Sequence, residues 1–322
     1  MSIRFLLCLS SAAYAAQPLV PRAVWQEDRP LVALVAVIGD TLWLHSSDPS
    51  QALFARNIYS GACSARVAVT DPVAYWAITR NNPRAVGKAV TGNKLFCVDL
   101  VRGALQEEYI NPGFVVGLGF DSEDKVLIYE HESGQLRTTG MRDSFAHGPR
   151  TSRLGEHSVG PTGRYLCDIL RTGATTLYHR SNGVTKNLAR FNYPYRIFWS
   201  PDGSHCIVCD NEKLQVVRCD TGVVYRQYPL KGIFAAMMSQ NNQYLYCAQG
   251  AGIVRYDLVH ATGDCFCTGA PAAITSFAMN DAATIIVALT KNNLCVYWSA
   301  VADPERHNGQ LFTQTSNSYF VS

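Results

Sequence analysis

The sequence predicts an all-β fold: a β-propeller of seven four-stranded antiparallel blades. Three observations predict it. A turn recurs about every 40 residues, at Arg80-Asn81-Asn82, Asp121-Ser122-Glu123, Pro161-Thr162-Gly163, Pro201-Asp202-Gly203, Gln240-Asn241-Asn242 and Asn280-Asp281-Ala282. Each of these turns follows a short apolar segment. No Gly/Ser-rich linker or charge run interrupts the repeat, so the 322 residues read as one array.

The clearest unit begins at Tyr195. Arg196-Ile197-Phe198-Trp199-Ser200 is an apolar strand. Pro201-Asp202-Gly203 turns, because Pro presets φ and Gly accepts a positive φ. His205-Cys206-Ile207-Val208-Cys209 is the second strand and Asn211-Glu212-Lys213 a polar turn. Residues 214–219 form the third strand, Asp220-Thr221-Gly222 a hairpin turn, and residues 223–228 the fourth. The next unit repeats this order over residues 234–267. The last runs through Ile274-Thr275-Ser276-Phe277, Ile285-Ile286-Val287-Ala288 and Leu294-Cys295-Val296-Tyr297-Trp298, with Gln310-Leu311-Phe312-Thr313 expected as its fourth strand.

Upstream units are read over residues 157–189, 115–145 and 74–109. The first is expected to begin near Pro21, since Arg22-Ala23-Val24-Trp25 matches Arg196-Ile197-Phe198-Trp199. Its middle strands would then be residues 31–37 and 41–45. A four-stranded sheet cannot bury both faces alone; seven stacked radially can, and the ring leaves only short edges. The expected organisation is an N-terminal segment over 1–18, one propeller over 19–316 and a tail over 317–322.

On these residues the chain resembles the WD40-type seven-bladed propellers. Trp199-Ser200-Pro201-Asp202-Gly203 is the strongest local match. Val98-Asp99, Cys219-Asp220, Tyr256-Asp257 and Tyr297-Trp298 occupy the place of the family's Trp-Asp dipeptide, although no Trp-Asp pair occurs and the Gly-His dipeptide is missing. The resemblance implies a rigid platform for partners.

Charged residues are only 16% of the chain, where about 25% is usual. Two readings fit: a subunit covered by its neighbours, or a surface rich in Ser, Thr, Asn and Gln. The net charge of +3 is too small to imply nucleic acid by itself. Its distribution says more. From Gln135 to Arg196, nine Arg and one Lys stand against Asp143, Glu156 and Asp168, a local +7 that leaves −4 elsewhere.

Most of the eleven Cys fall inside strands, where a thiol packs as a small hydrophobe. Cys206 and Cys209 have half a zinc spacing, but i and i+3 on a strand point to opposite faces. Cys265 and Cys267 share a face on the same reasoning. Scattered thiols and the lack of an Asn-x-Ser/Thr sequon predict an intracellular protein. The alternative is export, as a propeller with a ligand or hydrolase site at the channel mouth: Phe5-Leu6-Leu7-Cys8-Leu9 followed by Ala13-Tyr14-Ala15-Ala16 reads as a secretory signal. The bland reading of the same segment is a ring-closing strand.

No Gly-x-Ser-x-Gly elbow or phosphate-binding loop occurs, and the eight His are dispersed. The expectation is a non-enzymatic protein with no cofactor and no metal. One constellation stands out. Two successive inter-blade connections are rich in Arg and aromatics: residues 141–157, with Arg142, Arg150 and Arg153, and residues 190–196, with Arg190, Phe191, Tyr193, Tyr195 and Arg196. The turn at Arg171-Thr172-Gly173 lies between them on the same rim. Arg offers a planar fork for carboxylate or phosphate, and Tyr a rigid, part-polar contact. An acidic protein surface is the expected partner. Nucleic acid, stacking on Tyr193 and Tyr195, is the alternative. Ordinary solvated loops are the third reading.

Overall fold

The structure is a computed structural model and describes residues 18–26, 31–79, 83–111, 115–120, 123, 125–130, 136–138, 156–169, 174–188, 191, 196–280 and 282–300. Strand β1 (Ala23–Gln26) precedes the first sheet, which holds β2 (Leu31–Ile38), β3 (Thr41–Ser46), β4 (Leu53–Asn57) and β5 (Cys63–Val67). The second holds β6 (Val73–Ile78), β7 (Arg84–Ala89), β8 (Lys94–Asp99) and β9 (Ala104–Ile110). The third holds β10 (Val115–Phe120), β11 (Val126–Glu130) and β12 (Leu136–Thr138). The fourth holds β13 (Glu156–Val159), β14 (Tyr165–Ile169), β15 (Thr175–His179) and β16 (Thr185–Asn187). The fifth holds β17 (Arg196–Trp199), β18 (His205–Cys209), β19 (Leu214–Arg218) and β20 (Val224–Tyr228). The sixth holds β21 (Ala236–Met238), β22 (Tyr244–Gln249), β23 (Gly252–Asp257) and β24 (Thr262–Cys267). The last holds β25 (Ile274–Met279), β26 (Ile285–Thr290) and β27 (Leu294–Ser299), with β1 as its fourth strand.

Among the described residues there are thus six four-stranded sheets and one three-stranded sheet. Inner strands β2, β6, β10, β13, β17 and β21 pack in succession, β22 meets β25, and β25 returns to β2. The fold is a β-propeller, as the repeat predicts.

The forty-residue beat has a backbone cause. The turn between first and second strands needs one residue in the left-handed region. Gly163 (φ 64), Gly203 (φ 69), Asn242 (φ 56) and Ala283 (φ 51) supply it. Each donates its N–H three residues back, to the carbonyls of Gly160, Ser200, Ser239 and Asn280. The turn between third and fourth strands repeats the device with Gly61, Gly103, Gly183, Gly222 and Ala261, at φ between 56 and 74. Only the conformation is periodic. The residue holding it drifts from Gly, which has no Cβ to clash, to Asn and Ala, which tolerate it at a cost.

Burial follows the pleat. On β18, Cys206 and Val208 enter the core against the fourth sheet, whereas Ile207 and Cys209 enter the core against the sixth. On β27, Val296 and Trp298 pack one way and Cys295 and Tyr297 the other. Middle strands therefore read as unbroken apolar runs, since both faces are buried. Cys206 and Cys209 lie on opposite faces, as their spacing predicts.

Three expectations need correction. Ala23-Val24-Trp25 does not open the first blade: it pairs antiparallel with Tyr297, Val296 and Cys295 as the outer strand of the last one. The first blade starts at β2, so residues 31–37 and 41–45 are its first and second strands rather than its middle ones. A short apolar segment carries no mark of inner or outer position, and the match to Arg196-Ile197-Phe198-Trp199 misled for that reason. Ring closure accordingly falls to β1, and residues 1–17 lie outside the described residues. The place expected for Gln310-Leu311-Phe312-Thr313 is taken by β1; those four also lie outside the described residues. Finally, Cys265 and Cys267 do not share an environment. A bulge pairs Ile253 with Cys267 and Val254 with Cys265, leaving Cys265 exposed and Cys267 buried.

The segment before β1 also straps the ring. Leu19 bonds to Phe266 O (2.8 Å), Thr268 N donates to Leu19 O (3.0 Å), and Arg22 N donates to Tyr297 O (2.8 Å). The fully buried Trp298 donates its indole N–H to Thr268 O at 3.0 Å.

Candidate interaction rim

Consecutive antiparallel pairing sorts the loops. First–second and third–fourth turns share one rim; second–third turns and inter-blade connections share the other. Of the Arg- and aromatic-rich segments, those between β14 and β15 and between β16 and β17 are of the second kind. The described third sheet ends at its third strand, β12, and the segment that follows it lies outside the described residues.

Two of the named residues are described. Arg196 opens β17, is exposed, and stands opposite Cys209 beside the Asp210–Lys213 turn. Phe191 is 5% exposed, packed among Leu188, Ile197 and Cys206, with Lys213 Nζ 5.6 Å above its ring. Its phenyl belongs to the core between blades, which corrects its expected role as a contact residue. Arg142, Arg150, Arg153, Arg171, Arg190, Tyr193 and Tyr195 lie outside the described residues.

The structure adds two residues to this rim. The connection from β20 to β21 presents exposed Lys231 and Phe234, the latter 58% exposed. A segment that reads as the start of an inner strand is in fact loop, because β21 begins only at Ala236. No periodicity separates an exposed phenyl from a core one in so short a run. Arg196, Lys213, Lys231 and Phe234 stand on this rim across the fifth and sixth blades, with the exposed Glu212 beside Lys213. The turn that carries Lys213 is rigid: Asp210 Oδ1 accepts from Glu212 N (2.8 Å) and Lys213 N (2.7 Å).

The same rim has the opposite character at the second blade. Lys94 Nζ lies 2.8 Å from Asp71 Oδ2, Glu108 Oε1 and Thr70 Oγ1. Bonds from Lys94 hold both carboxyls below their ordinary range, and bonds to Asp71 and Glu108 raise the lysine. Two acids against one base leave this sector negative.

The opposite rim carries the first–second turns. The channel mouth there holds a cavity of about 620 Å³ between the inner strands of the first, second, sixth and last blades. No titratable side chain lines it among the described residues.

No helix of the described residues is long and apolar enough to cross a membrane, and no group of three or more His, Cys, Asp or Glu among them is placed to hold a metal ion. No family model matches the sequence, and no curated protein matches it.

Proposed function

We propose that this chain is a non-enzymatic interaction platform, a WD40-like propeller that docks other subunits of a larger assembly through its basic, aromatic rim. The reading rests on one observation above others: Arg196 at the start of β17 and the 58%-exposed Phe234 in the β20–β21 connection stand on one rim, anchored by rigid sheets. A stiff ring holds such loops at fixed relative positions, so a partner meets them without an ordering cost. Arg and aromatics are the residues that dominate binding at interface centres. The expected partner surface is acidic. The buried thiols support a reducing, intracellular setting; an intact mass lacking residues 1–16 would overturn that part.

The test is capture of partners by the full chain. Arg153→Glu with Arg196→Glu, and separately Phe234→Ser, should each reduce partner recovery at least tenfold while the thermal midpoint moves little. Recovery equal to the parent's would overturn the rim assignment. A steep loss of binding with added salt, alike for unrelated nucleic-acid sequences, would favour nucleic acid as the partner instead.

A further inference from the structure

We propose that the acidic partner of this rim is a second copy of the chain: two copies pair face to face about a two-fold axis lying in the plane of contact. The inference rests on the reading of the rim as a docking face and names what docks there. One face of the ring carries two unlike sectors. At the second blade, Asp71 in the β5–β6 connection and Glu108 near the end of β9 converge on Lys94. Val90, in the turn between β7 and β8, and Ile110, the last residue of β9, stand beside that cluster, 56% and 72% exposed. Ile110 pairs directly with Lys94. At the fifth and sixth blades the same rim presents Arg196, Lys213 and Lys231 against Glu212, with the exposed phenyl of Phe234. One sector is acidic and aliphatic; the other has three bases to one acid and an aromatic ring.

Their placement makes the face self-complementary. Seven sheets follow one another around the ring and close on themselves. The fifth blade is three steps from the second, and the sixth is three steps from it the other way. The boundary between the fifth and sixth blades therefore stands across the ring from the second blade. Turn one ring over about an axis in its own face, perpendicular to the line joining the two sectors. The second blade of each copy then lies on the fifth–sixth boundary of the other. Both contacts form together and are identical, as an isologous pair requires. They sit as far apart as the ring allows, so neither opens without straining the other. Exposed ion pairs are worth little singly; here they set which sector meets which. Phe234 against Val90 and Ile110 removes apolar surface from water.

The test is sedimentation velocity on the pure full chain, which should pass from monomer to dimer as concentration rises. Arg196→Glu with Lys231→Glu sets acid against acid at both contacts. Asp71→Lys with Glu108→Lys sets base against base at both. Each should weaken pairing at least tenfold while the thermal midpoint moves little. Mixed one to one, the two variants regain two complementary contacts, one native and one reversed, and should pair within about fivefold of the parent. Phe234→Ser adds no charge and should also weaken pairing at least tenfold, which covers the case in which a reversal fails to fold. A parent that stays monomeric at about 100 μM overturns self-pairing. So do dimers unmoved by Phe234→Ser and both reversals, or folded reversals that do not pair when mixed. A monomeric parent that still captures partners through Arg196 and Phe234 overturns self-pairing alone and leaves the platform reading standing.

Discussion

Asn242 Nδ2 donates to Asp202 Oδ2 at 2.7 Å, joining the same turn of two successive blades across 40 residues of chain. Asn242 holds a left-handed φ of 56 at this turn. Asp202 also accepts from Ser204 N (2.9 Å), Ser200 Oγ (2.7 Å) and Ser204 Oγ (2.8 Å). Partial burial works against its charge, but these bonds outweigh burial and bring the carboxyl down to about 2.

That network gives the first prediction. A carboxyl depressed on folding stabilises the native state above the unfolded value, and the stabilisation fades as pH falls toward 2. Because Asp202 is largely solvated, its share is about 1 kcal/mol after screening. Asp202→Asn should therefore lower the urea midpoint at pH 7, and the gap to the parent should close between pH 4 and pH 2.

His45 behaves oppositely to a surface imidazole. Its side chain is 2% exposed, and Nε2 donates to Val73 O at 3.0 Å. Burial pushes its pKa down to about 4 against the smaller upward pull of that bond. The unfolded chain takes up the proton first, so stability is full above about pH 6.5 and declines as pH falls toward 4. The loss reaches up to about 3 kcal/mol. Denaturant titrations of His45→Gln should show a shallower decline over this window.

Two alanines hold a glycine's conformation. Ala261 (φ 56) is exposed, so Ala261→Gly relieves left-handed strain of about 1–2 kcal/mol at an entropic cost of about 0.5–1 kcal/mol. The thermal midpoint should rise by about 1–2 °C. Ala283→Gly should gain less, because the Ala283 methyl packs against the core between the sixth and last blades.

Thiol reactivity should follow burial. Cys63 and Cys265 are the exposed thiols among the ten described. Burial, with a smaller contribution from Glu107, pushes Cys97 up to about 11, and burial pushes Cys267 up to about 12. Brief alkylation of the native protein at pH 8, mapped by mass spectrometry, should label Cys63 and Cys265 well before Cys97, Cys206 or Cys267.

Ring closure depends on Trp298. Trp298→Phe opens a void and leaves Thr268 O without its indole donor, a loss of about 2–4 kcal/mol. Hydrogen exchange should quicken at Thr268 N and Arg22 N, whose bonds to Leu19 O and Tyr297 O tie the N-terminal strap to the sixth and last blades.

The sequence by itself determined the strands, their turns and their grouping in forties. A left-handed turn residue and a run of β-branched side chains are local demands, legible wherever Gly203 or Gly222 stands. Antiparallel order alone also sorts the loops onto two rims. Only the tertiary structure decided which strand closes the ring: β1 and a true inner strand look alike until each finds its neighbour. It also decided that Phe191 is core while Phe234 is surface, and that inner strands from four blades enclose one cavity. Burial and enclosure are properties of residues distant in the chain, and no window of sequence contains them.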